Sequence, residues 1–294
     1  MKNFEELLNR AKSKPTKNVV LVCAEDLEAL KALSKANEEG FANPVLVGNK
    51  EEIKKNLEIV GKEFDIIEAE NPQEAAEKGV RLVSSGAADL LMKGKIKTSE
   101  LLKAVLNNDW GLKTGNLLSH VALVETPYLD RLLLISDGGM IIHPDLTQKV
   151  QIIYNAVEVA KSLEIKTPKV ALLAAVEVVN PDMPETIDAA ILTQMNKRGQ
   201  IKDCIVDGPL ALDNAISEQA AKIKNINSEV AGKADILIVP DIHSGNLLGK
   251  SAVYFSGGNV AGIVVGAKAP VVLVSRADND QSKLAALALG VLNS

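Results

Sequence analysis

The chain has 294 residues, 47% of them hydrophobic and 24% charged, with a net charge of −5 and a pI near 5.4. That length suits two domains of ordinary size, and the apolar share leaves no room for a long disordered tail. Aromatic residues make up only 3%, which with the acidic balance argues against a surface that stacks and tracks nucleic acid.

Cys23 and Cys204 lie far apart in apolar runs without C-x-x-C spacing, and read as buried thiols and not as zinc ligands. The opening MKNFEELLNRAKSK mixes acids, bases and apolar residues, unlike a secretory leader, and no run reaches the roughly 18 apolar residues of a membrane span. A cytoplasmic protein without membrane contact is the expectation.

In chain order, VVLVCA (19–24) reads as a strand, EDLEALKALSKANEEG (25–40) as a helix and PVLVG (44–48) as a second strand, with a charged helix from Asn49. FDIIEA, NPQEAAEKGVRLVSSG, DLLMKG and TSELLKAVLN continue the alternation of strand and helix, with Gly40 and Gly86 as helix stops and helix starts at Asn71 and Thr98. SHVALVET and DRLLLISDGGMII then form two successive strands, read as an antiparallel hairpin at a domain junction. A long helix, DLTQKVQIIYNAVEVAKSLEI, opens a second α/β series through KVALLAAVE, PETIDAAILTQMNKRG, CIVDGP, LALDNAISEQAAKI, ADILIVPD, NVAGIVVG and PVVLVSRAD. Such alternation predicts parallel sheet covered by helices.

Three strand ends carry polar side chains ahead of a helix. In PVVLVSRAD, Ser275 and Arg276 place a hydroxyl and a guanidinium where α/β proteins bind anions. Asp278 with Gln281 has the form of a capping box and Asp280 falls in the first turn, so both acids also fit plain helix capping. In ADILIVPDIHSGNLLGKS, His243, Gly245, Asn246 and Lys250 are candidates for a phosphate or pantetheine contact. From Gly245 the spacing is one residue too short for G-x-x-x-x-G-K-[ST], which argues against a nucleotide triphosphatase. In LLMKGKIKTS, Lys93 and Lys95 supply local positive charge, Lys97 reads as solvated, and Thr98 is the expected helix cap.

His120, beside Ser119, and His143 are candidates for a general acid or base, or for core histidines. No H-E-x-x-H, G-x-S-x-G or G-x-G-x-x-G pattern is present, so no metal, serine-hydrolase or dinucleotide site is expected.

The segments DLLMKGKIKTSELLKAVL, NLLSHVALVE, DGGMIIHPDL, VEVVNPDMPETIDAA, DGPLALDNAIS, ADILIVPDIHSGNLLGKS and GGNVAGIVVGAKAPVVLVSRAD, in order from about 88 to 280, resemble the phosphate acetyl/butyryl transferase family, and its butyryl-transferring members most. The resemblance implies a two-domain, three-layer α/β fold like that of the isocitrate and isopropylmalate dehydrogenases, with the active site in the interdomain cleft. The expected domains are 1–130 with 270–294, and 131–269.

The reaction so implied is butanoyl-CoA + phosphate = butanoyl phosphate + CoA, by direct transfer, with coenzyme A as a substrate and no tightly bound cofactor or metal. Acyl-CoA, phosphate and acyl phosphate are the expected partners of a homo-oligomer built from dimers. Ser275 would steady the thiol or thioester carbonyl, and Arg276 the phosphoryl oxygens. Asp278 and Asp280 are the neighbouring acids, while Lys93, Lys95, Ser119, His120, His243, Gly245, Asn246 and Lys250 would line the substrates. Acetyl-transferring members resemble one another in an aspartate seven residues after that serine, where this chain has Ser282. Phosphate acetyl transfer, or a non-catalytic acyl-CoA-sensing role, are the alternatives; a metal-dependent decarboxylating dehydrogenase would need an aspartate cluster that the sequence lacks.

Overall fold

A computed structural model describes residues 1–274 and 278–294. Along the chain run α1 (Phe4–Lys12), β1 (Lys17–Val22), α2 (Leu27–Glu38), β2 (Ala42–Gly48), α3 (Lys50–Val60), β3 (Ile66–Glu68), α4 (Pro72–Ser84), β4 (Leu90–Lys93) and α5 (Thr98–Val105). There follow β5 (Ser119–Glu125), β6 (Leu133–Ser136), α6 (Leu146–Ser162), β7 (Lys169–Leu173), α7 (Pro184–Lys197), β8 (Ile205–Leu210), α8 (Leu212–Ile216) and α9 (Glu218–Ile223). The last are β9 (Ile236–Ile238), α10 (Ile242–Tyr254), β10 (Asn259–Val265), β11 (Val271–Leu273) and α11 (Asp280–Leu292).

The chain divides into two units, Asn3–Asn116 with Val260–Ser294, and Leu117–Asn259 with Met1–Lys2. In the first, strand order is β3, β2, β1, β4, β11, β10, parallel except for the antiparallel β10–β11 pair. Period-two alternation sends Leu90 toward Gly290 of α11 and Leu91 toward Gly79 of α4, so helices cover both faces and the strands read as continuous apolar runs. At Gly79 an added Cβ would lie 2.7 Å from the Val22 side chain, so this helix reaches its strand only because the residue has none.

The second unit orders its strands β5, β6, β9, β7, β8, with β5 antiparallel to β6 and the others parallel. The β5–β6 pairing is the hairpin expected from the sequence. Asp145 and Gln148 close a reciprocal capping box at the start of α6, which packs against β5, β6 and β9.

Three local expectations shift. Residues 260–269 lie with the first unit and 117–130 with the second, because β10 pairs back onto β11 while β5 pairs with β6. At α5 the cap position is Lys97, without a side-chain cap bond, and Thr98 is already helical. At α11 the cap is Asn279, whose side chain accepts from the Ser282 N–H at 2.8 Å, so Asp278 lies outside the helix and Asp280 in its first turn. Asn and Asp cap equally well, so composition alone does not choose between adjacent positions.

Candidate active site

In the first unit, β1 is followed on one side by β2 and β3 and on the other by β4. The order of the chain reverses there, and the carboxyl ends of β1 and β4 diverge into separate crossovers, which is the usual ligand position in an open α/β sheet. Register puts Val22 beside Lys93 and Met92 beside Val272, so the ends of β1, β4 and β11 emerge together.

Lys93 closes β4, its ammonium 3.2 Å from the Gly94 carbonyl, and Lys95 stands in the following turn, 3.6 Å from Glu52 across an ion pair more than half exposed. Such a pair contributes little stability, leaving the Lys95 charge open to an anionic ligand at small cost. Gly94 permits this turn: a Cβ there would lie 2.2 Å from the Cys23 carbonyl. Burial, then Glu25 and Glu100, push the Cys23 thiol up to about 12, and burial pushes Cys204 to about 11, so both remain protonated. In α11, Lys283 is buried with its ammonium 3.7 Å from Glu28 of α2, tying together two helix starts at this end of the sheet. Ser275 and Arg276 lie outside the described residues, between Val274, which follows β11, and Asp278, two residues ahead of the exposed Asp280.

In the second unit the polar residues gather at the carboxyl ends of β6 and β9. Asp137, directly after β6, is buried and accepts hydrogen bonds from the N–H groups of Gly139 (2.9 Å), Met140 (3.0 Å) and Ile141 (3.2 Å). Burial raises its pKa, and these donors, with the His120 N–H, oppose that rise. The carboxyl group thus folds the 137–141 loop about itself. Gly139 lies against the His120 ring, with the position of an added Cβ 3.0 Å from Cγ, and Gly138 lies against Gly245.

His120 has its Nδ1 enclosed without a hydrogen-bond partner, and burial lowers its pKa to about 4. It is therefore a neutral imidazole at pH 7, suited to one hydrogen bond and not to holding an anion by charge. Ser119 is wholly buried and its hydroxyl accepts from Asn155 Nδ2 at 2.8 Å, so it holds β5 to α6 and turns no hydroxyl to solvent.

Helix α10 begins at Ile242, earlier than the glycine-rich segment implied, so Gly245, Asn246 and Lys250 are all helical. Gly245 spends its missing side chain on Gly138, whose Cα would be 2.5 Å from an added Cβ. Asn246 and Lys250 stand exposed one turn apart, and His243 is exposed beside His143, ring centroids 6.2 Å apart. Asp241 caps the helix; hydrogen bonds from the Ser244 hydroxyl (2.6 Å) and N–H (2.8 Å), then the two histidines, lower its pKa.

The structure therefore groups His120, His243, Gly245 and Asn246 in one unit and Lys93, Lys95, Asp278 and Asp280 in the other. The sequence reading missed Asp137 and Asp241. An acid between an apolar strand and Gly-Gly was the available signal for Asp137, yet it reads equally as a turn. Among the described residues no group of three or more His, Cys, Asp or Glu is placed to hold a metal ion, and no helix is long and apolar enough to cross a membrane.

The family described as phosphate acetyl/butaryl transferase matches residues 3–78 and 65–291. This chain belongs to that family. It is 46% identical to phosphate butyryltransferase of Clostridium acetobutylicum, across 99% of this chain and 98% of that one. It is 47% identical to phosphate acetyltransferase of Thermotoga maritima, across 98% and 99%. Among solved structures it is similar to a branched-chain phosphotransacylase from Enterococcus faecalis V583, with a TM-score of 0.83 and 34% identity over 94% of this chain and 98% of that one. A 4-hydroxythreonine-4-phosphate dehydrogenase from Klebsiella pneumoniae shares the fold, with a TM-score of 0.57 at 12% identity over 95% and 98%.

Proposed function

We propose that this protein catalyses reversible transfer of a short acyl group between coenzyme A and inorganic phosphate, with butyryl the preferred group. The observation that carries the reading is 46% identity to a phosphate butyryltransferase over nearly the whole of both chains. In the forward direction a phosphate oxygen attacks the thioester carbonyl carbon, the C–S bond breaks, and the thiolate leaves to take up a proton. Arg276 holds the phosphoryl oxygens through its planar fork, and Ser275 donates to the developing charge without becoming acylated.

Lys93 and Lys95 draw anionic substrate to the strand ends of an otherwise acidic protein. Neutral His120 offers a hydrogen bond, and His243, Asn246 and Lys250 along α10 contact coenzyme A. Asp278 or Asp280, with the start of α11, assists the thiol, whose ordinary pKa near 8.5 leaves it mostly protonated at pH 7. A fold of the isocitrate and isopropylmalate dehydrogenase type, a cytoplasmic setting and assembly from dimers belong to the same reading.

Thiol release from butyryl-CoA with and without phosphate tests the reaction. Release only with phosphate is expected, and none in either case would favour a sensing role. The 47% identity to an acetyl-transferring relative supports a second reading for the acyl group. A higher kcat/KM for acetyl-CoA than for butyryl-CoA would select it. Initial-rate plots should intersect, as direct transfer requires both substrates bound together; parallel lines would indicate an acyl-enzyme.

A further inference from the structure

The loops that follow β6 and β7 in the second unit hold branched apolar side chains in water by polar anchors close on either side. Val178 is 63% exposed and Val179 56%. Just before them, the Glu177 carboxylate accepts from Asn214 Nδ2 at 3.3 Å and from the Lys224 ammonium at 3.2 Å. Just after them, the Asn180 N–H donates to the Thr186 hydroxyl at 2.9 Å, and that buried hydroxyl donates to the Met183 carbonyl at 2.7 Å. The two valines are thus fixed in the open between tied ends. In the loop after β6, Ile142 is 60% exposed, although the Ile141 N–H is bound to Asp137 at 3.2 Å and the Ile142 carbonyl accepts from the Ile242 N–H at 3.1 Å. Isolated apolar side chains on a surface require no explanation, but anchored loops at strand ends are where α/β proteins hold ligands. Both β6 and β7 pair with β9, so the strands that lead to the two loops are about 10 Å apart. Between them β9 leads to the part-exposed ring of Pro240.

We infer that Ile142, Val178 and Val179 receive the hydrocarbon tail of the acyl group and set which chain length is transferred, an inference that rests on the proposed acyl transfer. Charge selects this end of the substrate. Residues 174–186 include Glu177, Asp182 and Glu185 and no Lys, Arg or His, so they suit a neutral tail and not the phosphates of coenzyme A. Size argues against a protein as the occupant, because three branched side chains offer far less than the roughly 800 Å² that each side contributes to a stable interface. A short alkyl chain matches what is present. Each buried methylene favours transfer about four-fold, so the two that distinguish butyryl from acetyl give a preference of roughly 15-fold.

The test is the ratio of kcat/KM for butyryl-CoA to that for acetyl-CoA at saturating phosphate, in which any general loss of active enzyme cancels. Threonine keeps the branched shape and puts a hydroxyl where the tail would meet a methyl group. The ratio should fall about four-fold or more in the double variant Val178→Thr, Val179→Thr and in Ile142→Thr. It should keep the wild-type value in Ile59→Thr, at an exposed apolar position on α3. A butyryl preference that survives in the loop variants would overturn the inference and leave acyl transfer standing, as would a wild type that prefers acetyl-CoA. Absence of phosphate-dependent thiol release from either acyl-CoA would instead remove the reaction itself, and the inference with it.

Discussion

The two units place polar groups at strand ends in opposite ways. The first sets whole charges on side chains at the rim: Lys93 ends β4 and Lys95 stands in the turn after it, and the latter's acidic partner Glu52 is itself more than half exposed. The second builds with neutral or compensated groups, its Asp137 wrapped by backbone N–H donors and its His120 held uncharged by burial. An acidic protein that handles anions needs local cations, and the first unit sets them at its strand ends. The other supplies fixed hydrogen-bonding geometry, in which the desolvation of Asp137 is offset by its own backbone N–H groups and that of His120 by staying neutral.

The sharpest way to break this contrast is Arg276→Ala. Removing the charge should reduce kcat/KM on the order of 10²-fold or more with little change in melting temperature, and Arg276→Lys should recover only part of the loss. Steady-state kinetics beside thermal melting decide it, and full recovery by lysine would reduce the role to simple charge neutralisation.

A smaller effect, in stability, is expected from His120. The unfolded chain takes up a proton as pH falls below about 6.5, whereas the folded ring stays neutral until about 4. Stability present at neutral pH is therefore lost across that window, by on the order of 3 kcal/mol. Denaturant titrations from pH 7 to 4 should show that loss, and His120→Asn should flatten it. An equal slope in both proteins would mean that the ring protonates freely.

Two glycines of α10 give a smaller, signed comparison. Gly245→Ala drives a methyl group to 2.5 Å from the Gly138 backbone and should destabilise by about 2 kcal/mol. Gly249→Ala meets nothing within 4 Å and should stabilise the helix by about 0.5–1 kcal/mol. Melting curves of the two variants that shift in the same direction would contradict the packing described. The smallest expected effect is none: incubation with a strong chelator should leave the acyl-transfer rate unchanged, and reversible loss restored by a divalent ion would revive a metal-dependent reading.

Much of the architecture was legible because buried parallel strands are uninterrupted apolar runs and helix starts carry their own signals, as Asn71 before Pro72 does. What was not legible depends on partners distant in sequence. NVAGIVVG reads as one more strand of the second series, and nothing local says that it turns back against β11. The strand-end candidates were visible as polar residues after apolar runs, but their roles divided on contacts that spacing does not encode. Ser119 is taken up by Asn155, 36 residues away, and Gly245 meets a glycine more than a hundred residues earlier. Asp137 escaped notice because its partners are its own neighbours' N–H groups, which every sequence contains.

The return of residues 260–294 to the first unit has a consequence for how the protein is made. Residues 3–116 leave the ribosome early, yet β4 lacks its neighbour β11, and α1 and α2 lack α11, until the last segment has been synthesised. The second unit, contiguous from 117 to 259, has all its strands before then. Synthesis therefore favours a middle-first order, in which the early segment waits as an incomplete sheet with one edge of β4 unpaired and its closing strand arrives last. Deleting residues 260–294 should accordingly spare the protease resistance of 117–259 while exposing 3–116, and the unpaired β4 edge is where aggregation of a truncated chain would begin.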